Sequence, residues 1–178
     1  MSDRVWFEVA LETYCQEAKK RVSPSSQAKI AAGGLSLDKP YPNELEADAF
    51  VPLVRLAVAD AFPGLSDFDA QFKWGNLGAD TYFTTFIGRG LLPLIRAFGP
   101  HRYLGSGKRL TRHANSFQNI AVEKLGPTKY RLTIDDAATG AMTFGGLYGS
   151  LTYLKLDGLS WKQVESPPGT LAIEVEWK

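Results

Sequence analysis

The stretch FQNIAVEKLGPTKYRLTID, residues Phe117 to Asp135, decides the fold. Two strand-like segments meet within it across Leu125, Gly126, Pro127 and Thr128, residue types suited to a turn, and the whole reads as a β-hairpin. In its second arm Tyr130, Leu132 and Ile134 alternate with Arg131, Thr133 and Asp135, which gives the strand one buried and one wet face. The chain before this hairpin is helical in texture. The chain after it completes the sheet that the hairpin begins.

Toward the C-terminus, Asp136 to Gly140 reads as a loop. Phe144, Leu147, Tyr148, Leu151 and Leu154 then mark one apolar face of a helix that Gly158 ends. Gly145, Gly146 and Gly149 inside this helix each cost about 1 kcal/mol relative to alanine. Their presence there predicts a close approach to a neighbouring element, where a side chain would obstruct. Ser160 to Glu165 forms a short strand, Pro167-Pro168-Gly169 a turn, and Thr170 to Lys178 a strand with Leu171, Ile173, Val175 and Trp177 on one face and Glu174 and Glu176 on the other. This half is therefore ββαββ, and a one-sided antiparallel sheet needs a helix over its apolar face.

Toward the N-terminus, Val5, Trp6, Phe7 and Val9 lead into helical spacing, with a helix from about Glu8 to Arg21. A second, Gln27 to Ala32, stops at Gly33-Gly34, and Leu35 to Asn43 with Pro40 and Pro42 is extended loop. From Leu45 to Phe62, Phe50, Leu53, Val54, Ala57 and Ala61 recur at helical spacing until Pro63-Gly64. A helix from Asp67 is predicted to be interrupted near Gly75 and Gly78, with Asp80 capping the next. Gly88-Arg89-Gly90 and Pro93 predict a break before a last apolar turn that Gly99-Pro100 closes. The fold class is α+β, an N-terminal helical bundle followed by a ββαββ antiparallel sheet with a covering helix. The predicted organisation is a single domain over 1–178, with a helical half at 1–100, a connector at 101–116 and an α/β half at 117–178.

Composition excludes several classes. A hydrophobic fraction of 44% with 12% aromatic residues belongs to a packed globular protein. With 20 Lys and Arg against 19 Asp and Glu, the overall field offers no general attraction for nucleic acid. Cys15 is the single cysteine and there are two histidines, so neither an internal disulfide nor a structural zinc site is expected, and a reduced, cytoplasmic setting fits. Met1-Ser2-Asp3-Arg4 opens no signal sequence, and no apolar run reaches the roughly 18 to 20 residues of a membrane span.

The connector His101 to Asn115 carries Arg102, Lys108, Arg109, Arg112 and His113, the one local concentration of positive charge. It reads as a solvated connector or as an anion contact through Arg109, Arg112 and His113; Gly105-Ser106-Gly107-Lys108 lacks the spacing of a phosphate loop.

Gly34 to Pro40, Ala61 to Leu65, Phe86-Ile87-Gly88-Arg89-Gly90, Phe98 to Arg102 and Glu123 to Tyr130 together resemble the signposts of an uncharacterised family found mainly in myxobacteria. These motifs are turns and helix ends that specify fold, and the family brings no activity with it. In layout, a helical half followed by ββαββ is similar to the vinyl-reductase-type small-molecule-binding domain, the haem nitric-oxide-binding domain and trafficking-complex subunits of that shape. The haem-binding resemblance implies a histidine on a helix before the sheet and a Tyr-x-Ser-x-Arg motif for the propionates. Here His101 follows a Gly-Pro break, and Tyr130-Arg131-Leu132-Thr133-Ile134 has neither the serine nor the arginine, so no cofactor is expected.

Ser116, Ser150 and Ser160 have no recognisable base beside them, Asp135-Asp136 reads as a turn feature, and Cys15 as a small buried hydrophobe, so the chain reads as a non-enzyme. The leading expectation is a regulatory or sensory module that binds a small apolar ligand between the helical half and the sheet, through Trp74, Tyr82, Phe83, Phe86 and Tyr103. The alternatives are a protein-interaction module, with the C-terminal strand free to pair with a partner or a second copy, and anion or nucleotide binding through the connector.

Overall fold

The computed structural model describes residues 4–178; Met1-Ser2-Asp3 and the side chains of Lys108 and Leu110 lie outside the described residues. In chain order the elements are β1 (Val5–Phe7), α1 (Glu8–Arg21), α2 (Pro24–Ala32), β2 (Glu44–Glu46), α3 (Ala47–Ala61), α4 (Asp67–Thr84), α5 (Phe86–Gly105), α6 (Gly107–Thr111), β3 (Ile120–Lys124), β4 (Lys129–Ile134), α7 (Gly140–Thr152), β5 (Ser160–Val164) and β6 (Leu171–Glu176).

The hairpin forms as its alternation requires. Ile120 faces Ile134 and Lys124 faces Tyr130 across β3 and β4, and Leu125 N–H donates to the Lys129 carbonyl at 2.9 Å to close the turn. The antiparallel sheet has strand order β3-β4-β6-β5. Tyr130, Leu132, Ile134, Leu171, Ile173, Val175 and Trp177 are buried on its inner face, against Phe144, Leu147 and Leu151 of α7. On the outer face Glu174 accepts hydrogen bonds from Arg131 at 2.9 Å and sits 3.0 Å from Lys129 and 3.3 Å from Lys162. The C-terminal strand is interior, paired with β4 on one side and β5 on the other, so it is not free for a partner; β3 and β5 are the edges.

Several helical boundaries differ from the expectation. α4 runs without interruption through Gly75 and Gly78, and Asp80 lies inside it. Its start is secured by Ser66, whose hydroxyl accepts from Asp69 N–H at 3.1 Å, with Asp67 and Asp69 in the favourable first turn. Gly75, but not Gly78, is needed by a neighbour. A Cβ on Gly75 would lie 1.9 Å from the Met142 carbonyl oxygen, and one on Gly145 would lie 2.1 Å from that of Phe72, so α4 and α7 cross backbone against backbone. α5 continues past Gly90 and Pro93 and kinks instead at Gly99, whose φ of 71° is the left-handed conformation glycine adopts readily. The connector is helical as far as Thr111 and is then tied to the N-terminal strand: Ser116 N–H donates to the Val5 carbonyl at 3.0 Å and Phe7 N–H to that of Ala114 at 2.9 Å. β1 also pairs with β2, where a helix was expected to have begun at Leu45.

Two apolar clusters result. One gathers Trp6, Leu11, Tyr14, Phe50, Val54 and Trp74; the other gathers Phe83, Tyr103, Phe144 and the inner face of the sheet. α4 belongs to both, with Trp74 in the first and Phe83 in the second. It is also tied to α1 by Glu17, which is buried and accepts hydrogen bonds from Thr81, Lys20 and Arg21. Burial opposes the charge on Glu17, but those three donors outweigh it and hold the carboxyl below its usual range. Cys15 is buried, its thiol pushed up to about 12 by burial, consistent with a packing role.

Candidate functional site

A cavity of about 220 Å³ opens at the seam between the two clusters. Its walls come from α1, α4, α5 and α7, together with β1, Phe50 of α3 and residues 111–118 of the connector. No residue of strands β3 to β6 lines it, so the space lies against α7 and not directly against the sheet. The geometry follows from the sequence: Gly75, Gly78, Ala79 and Gly146 leave a smooth backbone wall where α4 and α7 cross, and the aromatic residues stand around it.

One side is a run of rings. Trp6 and Phe50 have centroids 5.3 Å apart, Phe50 and Tyr14 4.9 Å, and Tyr14 and Trp74 5.5 Å. The Tyr14 hydroxyl donates to the Leu53 carbonyl at 2.7 Å, so this wall presents ring faces and edges. The opposite side carries Tyr82, Phe83 and Tyr103. Tyr103 is buried, and loss of solvent pushes its phenol up to about 12, partly countered by the neighbouring Ser150 hydroxyl. Burial raises Tyr82 as well. Both phenols therefore stay protonated at neutral pH, and with Ser150 they give this mainly apolar space a polar end.

A second set of polar residues borders the cavity and was not expected from the sequence. Asn115 Nδ2 donates to Gln118 Oε1 at 2.8 Å, and Thr143 Oγ1 donates to the same oxygen at 2.8 Å. Gln118 Nε2 donates to Asp136 Oδ2 at 3.0 Å and to Thr139 Oγ1 at 2.8 Å. Asp136 also takes the Thr139 hydroxyl at 2.5 Å. These bonds satisfy the buried amides and pin the connector to the start of α7. In the sequence Asp136 was legible only as part of the Asp135-Asp136 turn and the loop to Gly140, which says nothing of a partner eighteen residues earlier.

Of the expected ligand-binding residues, Trp74, Tyr82, Phe83 and Tyr103 line the cavity. Phe86 does not: it is 88% exposed, at the first turn of α5 on the opposite side of that helix from the cavity-lining Leu91 and Ile95. Trp6, Tyr14 and Phe50 were missed because they reach the site through the first cluster. Of the expected anion-binding set, Arg109 and Arg112 are exposed and His113 borders the cavity. No hydrogen bond or ion pair joins these three among the described residues. His101 is exposed on α5 beyond the Gly99 kink, outside the cavity lining, and its Nδ1 lies 2.7 Å from the Tyr130 hydroxyl. Among the described residues no group of three or more His, Cys, Asp or Glu could hold a metal ion, and no helix is long and apolar enough to cross a membrane.

This architecture, helices followed by a four-stranded antiparallel sheet with α7 across it, is the fold of H-NOX domains. A structure solved to probe the function of heme distortion in the H-NOX family superposes with a TM-score of 0.66 at 11% identity, covering 96% of this chain and 94% of that one. A second, on the molecular mechanism of H-NOX activation, gives 0.66 at 12% identity with 93% of each chain covered. An oxygen-binding H-NOX domain related to soluble guanylate cyclases, in its oxygen complex, gives 0.61 at 12% identity over 93% of this chain and 92% of that one. By sequence the chain belongs to the family described as protein of unknown function, DUF2378, whose profile matches residues 7–178. No curated protein matches it.

Proposed function

We propose that the chain is a non-catalytic sensory module that holds one small, mainly apolar molecule in the cavity between α1, α4, α5 and α7. The observation that carries this reading is the cavity itself, about 220 Å³ of space ringed by aromatic side chains at the junction of two cores, where close packing is the rule. A dry cavity of about 150 Å³ accepts benzene, whereas drug-sized ligands need about 300–1,000 Å³. The occupant is therefore a single substituted ring or a compact bicycle, with one polar substituent directed to Tyr82, Tyr103 and Ser150. The likeness in fold to H-NOX domains supports a sensory role.

Haem is a different matter, because the residues present do not fit it. The space is below the range for drug-sized ligands, and a porphyrin is larger than these. The His101 ring is outside it and engaged with Tyr130, and Leu132 and Ile134, each 1% exposed, pack into the core at the positions where the resemblance calls for serine and arginine. Native mass spectrometry of gently purified chain tests the proposed function: a retained mass of a small ring compound is expected, and a strictly ligand-free chain that no such compound stabilises would sink the reading.

A further inference from the structure

α5 is two-faced. Leu91, Ile95 and Tyr103 turn inward to the cavity, while Phe86, Ile87, Leu94 and Phe98 are 88%, 55%, 48% and 48% exposed. Ile87, Leu94 and Phe98 fall at i, i+7 and i+11, one stripe along the helix; Arg89 and Arg96, at i and i+7, form a second stripe about 180° round the axis, and Phe86 lies on the exposed arc between the two. Arg102 stands over the Phe98 ring at 4.9 Å. No ion pair holds any of these three arginines among the described residues. The surrounding chain has the same sign: between Asp80 and Glu123 there are six of the 20 Lys and Arg and none of the 19 Asp and Glu.

We propose that this outer face of α5 docks on an anionic lipid surface, with Phe86, Ile87, Leu94 and Phe98 entering the headgroup boundary and Arg89, Arg96 and Arg102 meeting the lipid charge. A helix whose exposed arc carries aromatic and aliphatic residues at one edge, arginines at the other and no carboxylate has the composition of an interfacial element. A second copy suits it less well, since two-fold pairing of the same face sets Arg89 and Arg96 of one molecule against those of the other. An acidic protein would have to bring its own cavity for the Phe86 ring, which protrudes almost fully; a fluid bilayer makes room without one. Docking of this kind does not require a ligand in the cavity. It does make one helix join the two: its inner side feels the cavity and its outer side meets the membrane.

Flotation of the full chain with phosphatidylcholine vesicles, with and without about 30% phosphatidylglycerol, tests this. Binding to the anionic vesicles only is expected, weakened by high salt because exposed charges are screened. Replacing Arg89→Gln and Arg96→Gln together should lower partitioning about 25-fold, at about fivefold per arginine. Phe86→Ser with Ile87→Ser should lower it at least tenfold by removing buried apolar area. All four side chains are exposed, so circular dichroism and thermal unfolding of both variants should match the parent. Failure to bind anionic vesicles overturns the proposal, as does binding that both variants retain. A dimer, or a complex with an acidic protein, that Phe86→Ser abolishes while vesicles remain unbound would overturn it in favour of that partner.

Discussion

Replacing Gly75 with alanine should be far more costly than the chemistry of one methyl group suggests. Its Cβ would sit 1.9 Å from the Met142 carbonyl oxygen, 2.8 Å from the Met142 carbonyl carbon and 2.9 Å from Gly146 N, all backbone atoms that no rotamer can move. Ordinary contact begins near 3.4 Å, so α4 and α7 would have to part by about 1.5 Å at their crossing. Overpacking costs about 1–3 kcal/mol, and a clash that only backbone movement relieves belongs at the upper end. Alanine regains about 1 kcal/mol of helix propensity, leaving a net loss of about 2 kcal/mol. In a chain of this length that lowers Tm by about 4–8 °C. Gly146→Ala is the matched control, because its nearest obstacle is the Gly75 carbonyl oxygen at 3.7 Å. It should be neutral or raise Tm by about 2–4 °C through propensity alone. Thermal and urea unfolding of the pair reads the difference, and a Gly75→Ala variant as stable as the parent would refute the backbone-to-backbone crossing.

Other outcomes follow from the same contacts. Hydrogen bonds from Arg131 first and Lys129 next hold the Glu174 carboxyl down from 4.5 to about 2, so its contribution is complete above pH 4.5 and is lost as pH falls toward 2. Unfolding across that window should show the parent losing stability relative to Glu174→Gln, and parallel curves would deny Glu174 any such contribution. Arg109→Ala with Arg112→Ala should change stability by less than about 0.5 kcal/mol, since both are exposed; a larger loss in urea unfolding would mean that one of them is structural. Mixing the chain with hemin and reductant should give no absorption band that depends on His101, and a band lost in His101→Gly would contradict the reading of that residue.

The hairpin, the ββαββ order and the inward residues of β4 and β6 were legible because each rests on period-two patterning within one segment. The close approach at Gly145 and Gly149 was legible too, since glycines that weaken an apolar helix are retained where a neighbouring backbone leaves no room for a side chain. What the sequence hid was non-local. Gly75 and Gly78 looked like breaks because the elements packed against them, α7 at Gly75 and Thr13 of α1 at Gly78, lie more than sixty residues away in the chain. Gly88-Arg89-Gly90 and Pro93 looked like a break, whereas the kink falls at Gly99, where the helix was expected to close. The strands β1 and β2 have three residues each, too few to establish a period. Trp74, Tyr82, Phe83 and Tyr103 could be named as ring-bearing candidates, but whether a ring lines a cavity or faces water, as Phe86 does, depends on the turn of a helix against its neighbours. The Asn115, Gln118, Asp136 and Thr139 network is likewise a property of two segments meeting.

Whether the cavity takes a ligand is the most direct test of the proposed sensory role. Thermal unfolding with a panel of substituted monocyclic and bicyclic aromatic compounds, run on the parent and on Ala10→Leu, which adds three carbons at the cavity wall, measures it. A compound at a hundredfold excess over its Kd should stabilise the parent by about 2.7 kcal/mol, a rise in Tm of about 5–10 °C, and should do little for Ala10→Leu. A panel in which no compound stabilises the parent, or in which both chains respond equally, would contradict the claim that this space is a binding site.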